Sequence, residues 1–189
     1  ETQSGAGLID PYVRVVAEGA NGGSKVTDTT GSVYRVDSAV VTDLAADRTV
    51  NIAMGATDIT HQAFSVLDAL NSTAAGYATL PGAPASAVTA VFPQPGTVSY
   101  YSPLPGGDGK LHIIAGDRYD WDVIAHEYAH FVQEQYPGLS LSPGGAHSSL
   151  DNLRYSRTDL AALDADRLAW GEGFATWWSV DLQLDQGLG

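Results

Sequence analysis

The segment WDVIAHEYAHFVQEQ, residues 121–135, constrains the fold more than any other part of the chain. Its apolar residues recur on most sides of a helix, at Val123, Ile124, Ala125, Tyr128, Phe131 and Val132. A helix that is apolar on most sides is buried on most sides. The chain must therefore pack other elements around a central helix, which begins near Asp120 or Asp122, either of which can cap it.

The pattern His-Glu-x-x-His lies within this apolar helix, at His126, Glu127 and His130. The chain has only five His and five Glu, and His-Glu-x-x-His arises by chance in roughly 0.3% of shuffled chains. Residues four apart share a helix face, so both imidazoles can reach one ion at Zn–N distances of about 2.0–2.1 Å. Glu127 cannot comfortably join them but can reach a water on the ion, as a general base must. The alternative is a helix whose histidines only pack or face solvent.

A catalytic zinc needs a third protein ligand and an open fourth position. A metzincin would have a His at position 136, where this chain has Tyr136. The candidates farther along the chain are His147, Asp151, Asp159, Asp164, Asp166 and Glu172.

Glu172 is the best of these candidates because glycines flank it, at Gly171 and Gly173. Each glycine costs a helix about 0.5–1 kcal/mol relative to Ala. That cost is explained if two helices approach closely enough for a short carboxylate to reach the ion. The alternative interpretation of GEGFATWW is a kinked core helix with an exposed Glu.

The remaining sequence predicts an α+β fold. Residues 1–55 form a β-rich N-terminal segment or a small β domain, with strands predicted at 12–19, 32–42 and 48–55. Residues 56–189 form the second unit. It begins with a helix over 56–80 that Asp58 can cap and whose apolar residues are Phe64, Leu67, Leu70, Ala74 and Tyr77.

Three short strands follow at 86–93, 96–103 and 110–116, and a last helix runs from Thr158 or Asp159 to Leu184. His112 alternates with Leu111 and Ile113, so we expect it on the opposite face of the sheet. His61, in the first helix, is interpreted as a surface or cap residue and not as a ligand.

Composition limits the partners and the environment. The formal net charge is −13, with 22 acidic against 9 basic residues, which disfavours nucleic acid and anionic membranes as partners. The sequence has no run of 18 apolar residues and no Cys, so we expect no membrane span and no thiolate metal site. Low Lys and abundant Ala, Gly, Ser, Thr and Asp are typical of a bacterial exported protein, secreted or at the cell surface. The oligomeric state stays open.

The two motifs, VIAHEYAHFV and AWGEGFATWW, resemble the gluzincins, the zinc peptidases that include the thermolysin-like enzymes and the NEGFA-containing aminopeptidases. The resemblance covers roughly residues 56–180. It implies that residues 56–189 form a zincin-like metallopeptidase domain, with a small mixed sheet, an active-site helix and a second ligand-bearing helix. It also implies that His126, His130 and Glu172 bind zinc, that Glu127 is the base, and that the edge strand TVSYYS holds a peptide by strand addition.

The sequence departs from the gluzincin pattern in several places. Forty-one residues separate His130 from Glu172, where gluzincins have roughly twenty. Gly171 stands where these families often have Asn, and Thr176 where thermolysin has an Asp that supports a ligand. A ligating His donates its second N–H to a partner, here Thr176, a backbone carbonyl or an Asp of 151–166. The chain ends 17 residues after Glu172, which indicates a minimal gluzincin or a fragment.

The long connection between the motifs offers donors for the oxyanion that develops in peptide hydrolysis. His147 follows two glycines, which allow a loop to approach a cleft, and we expect it near the substrate without binding the metal. Tyr155 is the second candidate catalytic donor, and Arg154 or Arg157 are further ones.

These features favour a zinc-dependent endo- or aminopeptidase that acts on a peptide or protein substrate. One alternative is a secreted or cell-surface binding or structural protein whose zincin domain is not catalytic, although such a protein has no use for Glu127. Another is a metallohydrolase for a non-peptide amide or ester, which the sequence does not distinguish from a peptidase.

Overall fold

The computed structural model describes residues 2–3, 9–79, 87–136 and 162–186, which form a mixed α+β fold. Three helices lie in this part of the chain: α1 (Ile59–Tyr77), α2 (Trp121–Gln135) and α3 (Ala162–Gln186). None of them is both long and apolar enough to cross a membrane. The α+β class predicted from the sequence is confirmed.

The main sheet is small and mixed. Its strands are β4 (Lys25–Thr27), β6 (Thr89–Gln94), β7 (Tyr100–Ser102) and β8 (Lys110–Ile114). Their order across the sheet is β4, β6, β8, β7. The first three run parallel, and β7 lies antiparallel at the edge with Tyr101 opposite Leu111. Leu111 and Ile113 are buried and His112 is half-buried, as the alternation predicts.

The N-terminal segment adds short ladders and one strand of the main sheet. β1 (Thr2–Gln3) pairs with β2 (Ile9–Asp10), and β3 (Arg14–Val16) pairs with β5 (Arg35–Asp37), both antiparallel. β4 also comes from this segment and pairs with β6. The strand predicted at 48–55 is wrong, since these residues belong to no strand. Alternate residues of this segment are half-buried, namely Val50, Ile52 and Met54, and their neighbours are exposed. The alternation of apolar and polar residues therefore reflects packing of an extended segment on the surface, without a partner strand.

The helix α1 begins as the sequence predicts. The Asp58 side chain accepts a hydrogen bond of 2.7 Å from the N–H of Thr60 and caps the helix. Leu67, Leu70 and Tyr77 are buried in the core, with Phe64 and Ala74 packed against it. The apolar spacing therefore identified the face of α1 that contacts the rest of the fold.

The helix α2 occupies the centre of the fold. Asp120 caps it by accepting from the N–H of Val123 at 3.4 Å. It packs against α1, α3, β7 and β8. Seven of its residues are buried, namely Ile124, Ala125, Tyr128, Ala129, Phe131, Val132 and Gln133. The prediction of a largely buried helix is confirmed, and this packing leaves His126, Glu127 and His130 half-buried.

The helix α3 has a buried face and an exposed one. Leu168, Glu172, Ala175, Trp178 and Leu182 face the interior. A Cβ at Gly76 of α1 would lie 2.1 Å from Leu182 Cδ1, so a larger residue at this position would require the Leu182 side chain of α3 to move. The opposite face exposes large apolar side chains, at Trp170, Trp177, Val180 and Leu184. Glu172 therefore lies on the side of α3 that packs against the central helix.

Candidate metal centre

The packing of α2 against α3 brings the two histidines of the first motif beside the glutamate of the second. Glu172 Oε2 lies 3.1 Å from His126 Nε2 and 3.5 Å from His130 Nε2, and the two Nε2 atoms are 3.2 Å apart. In the described part of the chain, these three residues are the group of His, Asp and Glu side chains whose ligand atoms all lie within 4.8 Å of one another. The three residues could therefore hold a metal ion.

The spacing of these atoms fits a tetrahedral ion. Ligands placed about 2.0–2.1 Å from zinc at tetrahedral angles are about 3.3–3.4 Å from each other. The three distances between the side-chain atoms, 3.1, 3.2 and 3.5 Å, bracket that value. The carboxylate is nearly inaccessible, since Glu172 is 6% exposed. Two imidazoles and one carboxylate are also the donor set of many catalytic zinc sites.

Glu127 lies next to this group without being part of it. Its Oε2 accepts a hydrogen bond of 2.8 Å from the backbone N–H of Tyr101, on the edge strand β7. Desolvation by burial raises the pKa of Glu127, against the opposing influence of His130 and His126. The carboxylate is thus oriented by the sheet and not by the three candidate ligands.

His130 has a buried amide as its second partner. Gln133, one turn later on α2, places Oε1 3.2 Å from His130 Nδ1 and donates through Nε2 to the carbonyl of Gly171 at 3.2 Å. Burial alone would lower the pKa of His130, but the hydrogen bond and charge of Glu172, with the charge of Glu127, outweigh it and raise the pKa.

The second partner of His126 is weaker. Thr176 Oγ1 lies 3.5 Å from His126 Nδ1, at the long limit of a hydrogen bond, and Thr176 is exposed. Thr176 was one of the partners that the sequence left open. Both histidines therefore have neutral outer partners, a hydroxyl for His126 and an amide for His130.

The edge strand is attached to α2 at a second point. The Tyr101 hydroxyl donates to Glu134 Oε2, and its ring packs edge-on against Phe131 with the centroids 5.9 Å apart. The backbone N–H of Leu104 also points to Glu134 Oε2, at 3.4 Å. Tyr101 therefore contacts two carboxylates of α2 almost two turns apart, and these contacts fix the distance between β7 and the site.

The two glycines beside Glu172 lie in different environments. Gly171 is buried, and its carbonyl accepts the hydrogen bond from Gln133. Gly173 is exposed, and a Cβ there would meet no heavy atom within 4 Å. The expectation that both glycines permit a close approach of helices is therefore wrong for Gly173.

Several candidates from the sequence lie outside the described residues. These are His147, Asp151, Arg154, Tyr155, Arg157 and Asp159, and the side chain of Asp164 is not described either. Their predicted roles stay predictions. Asp166 is described, and it is exposed and apart from the three-residue group.

The other two described histidines have ordinary polar contacts. His61 is half-buried in the first turn of α1, with Nδ1 3.2 Å from the hydroxyl of Tyr119. His112 lies between Gln94 and Asp108, with one ring nitrogen 3.0 Å from an oxygen of each. Neither belongs to the three-residue group. The cap of α1 is Asp58 and not His61.

The sequence interpretation missed Gln133 and Tyr101. Gln133 stands three residues after His130 and so shares its helix face, and a polar residue within an apolar stretch was a signal that could have identified it. Tyr101 contacts Glu127 through its backbone N–H. Every residue except proline has this group, so the identity of Tyr101 gave no signal.

The chain was compared with protein-family models, with curated proteins and with solved structures, and none of the three comparisons found a match.

Proposed function

We propose that the protein is a zinc-dependent peptidase with a gluzincin-like arrangement of its site. One observation carries the proposal: the ligand atoms of His126, His130 and Glu172 are spaced 3.1–3.5 Å apart, as around a tetrahedral ion, with Glu127 beside them on α2. A structural site has no use for a separate half-buried carboxylate that is not a ligand.

The two imidazoles and the Glu172 carboxylate would hold the ion. A zinc ion in such a site supplies Lewis acidity, which polarises a carbonyl and lowers the pKa of a water. With three protein ligands, such an ion would keep a further position for water or substrate.

Glu127 would act as the general base. The N–H of Tyr101 holds Oε2, which leaves Oε1 to accept the proton of the attacking water. The same carboxyl group can then deliver that proton to the leaving amine. Burial raises the pKa of Glu127 and so makes the carboxylate a better proton acceptor than a solvated Glu.

The edge strand β7 would hold the substrate. Because the N–H of Tyr101 points at Glu127, the pair of Tyr101 with Leu111 is the type that exchanges no backbone hydrogen bonds. The carbonyl of Tyr101 then also faces the open edge, where a peptide backbone can donate to it. An extended peptide bound at this edge would lie beside Glu127 and the three candidate ligands.

The test combines metal content with turnover. Elemental analysis should find one zinc per chain after loading, and the loaded protein should cleave casein or members of a fluorogenic peptide library, with loss of cleavage under a chelator. Glu127→Gln should retain zinc and fold but lower turnover by about 10²–10⁴-fold, since an amide cannot accept the proton. Glu18→Gln makes the same change at an exposed position and should behave as wild type.

Each outcome separates the alternatives. No stoichiometric zinc would overturn the proposal. Zinc without hydrolysis of any amide or ester would favour the non-catalytic binding or structural protein. Hydrolysis that survives in Glu127→Gln would remove Glu127 from its assigned role.

A further inference from the structure

We propose that Gln133 is a positioning residue, which fixes the ring of His130 in its metal-binding tautomer and joins that ligand to the helix that carries Glu172. The inference rests on the proposed metal centre and extends it to a residue that touches neither metal nor substrate. Gln133 is 1% exposed, so its amide must find its partners inside the protein.

The orientation of the amide follows from its partner on α3. The carbonyl of Gly171 can only accept, so the NH₂ group of Gln133 must face it, at 3.2 Å. Gln133 Oε1 therefore faces His130 Nδ1, also at 3.2 Å. An amide oxygen can only accept, so His130 must carry a proton on Nδ1.

This proton determines what the other side of the ring offers. In a neutral imidazole with Nδ1 protonated, Nε2 keeps its lone pair. Nε2 of His130 is the atom that lies 3.2 Å from His126 Nε2 and 3.5 Å from Glu172 Oε2. In the neutral ring, Gln133 thus directs the lone pair of His130 toward the other two candidate ligands.

The same amide also links the two ligand-bearing helices. Gly171 directly precedes Glu172, so the hydrogen bond from Gln133 holds the α3 backbone beside the carboxylate ligand. One side chain of α2 therefore restrains both His130 and the backbone next to Glu172. Among the described residues, the outer contact of His126 is the weaker one, because Thr176 is exposed and 3.5 Å away.

The experiment measures zinc affinity by competition with a chromophoric chelator, using the metal alone. Gln133→Met preserves the side-chain length and removes both hydrogen bonds, and we expect it to weaken zinc binding by about 10–100-fold. Val132→Ala is the matched control, since Val132 is a neighbouring buried residue of α2 whose truncation loosens the core without removing a polar contact. It should bind zinc as wild type does.

Gln133→Glu provides the rescue. Its carboxylate can still accept from His130 Nδ1, although it has no N–H for Gly171, so it should bind zinc more tightly than Gln133→Met. If Gln133→Met does not fold, as judged by circular dichroism, Gln133→Asn takes its place. It is one methylene too short to reach both partners and should also lose at least about tenfold in affinity.

The inference is overturned if the folded Met or Asn variant binds zinc as tightly as wild type, or if Val132→Ala loses as much affinity as Gln133→Met. In either case the wild-type metal centre stands. If wild type itself binds no zinc, the proposed function fails first and the inference fails with it.

Discussion

Asp37 and Glu172 are both carboxylates paired with nitrogen-bearing side chains, but they lie in opposite settings. Asp37 on β5 receives two hydrogen bonds from Arg14 on β3, at 2.7 and 2.8 Å. Glu172 on α3 meets His126 and His130 at the longer distances of 3.1 and 3.5 Å. The side chains of the first pair are 40% and 37% exposed, whereas that of Glu172 is 7% exposed.

The difference shows that the shorter distance between charged atoms does not identify the pair that matters more for the proposed metal centre. The guanidinium of Arg14 donates to both carboxylate oxygens of Asp37. Because the pair is exposed, water screens the electrostatic attraction between the two charges. The group around Glu172 brings three potential metal-ligand atoms within 3.1–3.5 Å of one another, with Glu172 nearly inaccessible to water. A metal ion could be held among these atoms, whereas the exposed pair already contains its own cation, the guanidinium of Arg14.

The largest expected effect comes from removing the carboxylate of the buried group. Glu172→Ala leaves two imidazoles, and we expect zinc affinity to fall by more than about 100-fold, beyond the loss that an outer partner causes. Chelator competition and elemental analysis would measure it. Asp166→Asn removes an exposed carboxylate of the same helix and should leave zinc binding unchanged. Loss of zinc affinity in Asp166→Asn but not in Glu172→Ala would make Asp166 the ligand and exclude Glu172.

A smaller effect should come from strengthening the weak partner of His126. Thr176→Asp places a carboxylate toward His126 Nδ1, which makes the ring a better donor to the metal, and we expect zinc to bind up to about tenfold more tightly. Thr176→Asn has nearly the same shape without the charge and serves as the control. If the two variants bind zinc equally, the charge of the outer partner does not matter at this site.

The smallest effect should come from the exposed pair. The hydrogen bond from Arg14 lowers the pKa of Asp37 in the folded protein. The pair therefore stabilises the fold above the pKa of an unfolded Asp, about 3.9, and this contribution is lost as the pH falls through the lower folded value. Asp37→Asn should slightly lower the urea midpoint at pH 7 and match wild type near pH 2, with zinc affinity unchanged.

Asp47→Asn, another exposed Asp of the N-terminal segment, is the control for that measurement. A large drop in the midpoint or in zinc affinity for Asp37→Asn would contradict the contrast between the two carboxylates.

Local pattern predicted the helices and the identity of the candidate ligands. The caps at Asp58 and Asp120 and the buried face of α1 follow from spacing along one helix, which the chain itself carries. His126 and His130 share a face for the same reason. Glu172 required one long-range inference, and the structure places it beside both rings.

Apart from the placement of Glu172, contacts between distant segments were beyond prediction. Residues 48–55 have the composition and alternation of a strand, but a strand also needs a neighbour with free backbone groups, which sequence does not specify. The contact of Gln133 with Gly171 depends on the register of α2 against α3. The exposure of Gly173 depends on how far α3 is rotated about its axis.

The hydrogen bond between Tyr101 and Glu127 has a consequence for substrate selection under the proposed function. Since the N–H of Tyr101 is already engaged, the strand edge offers only an acceptor at this residue, its carbonyl. The substrate residue opposite must bring its own amide hydrogen, and proline has none. A peptide with proline or an N-methylated residue at that one position should be a poor substrate. The same change at the next substrate residue, whose amide hydrogen points away from β7, should be tolerated.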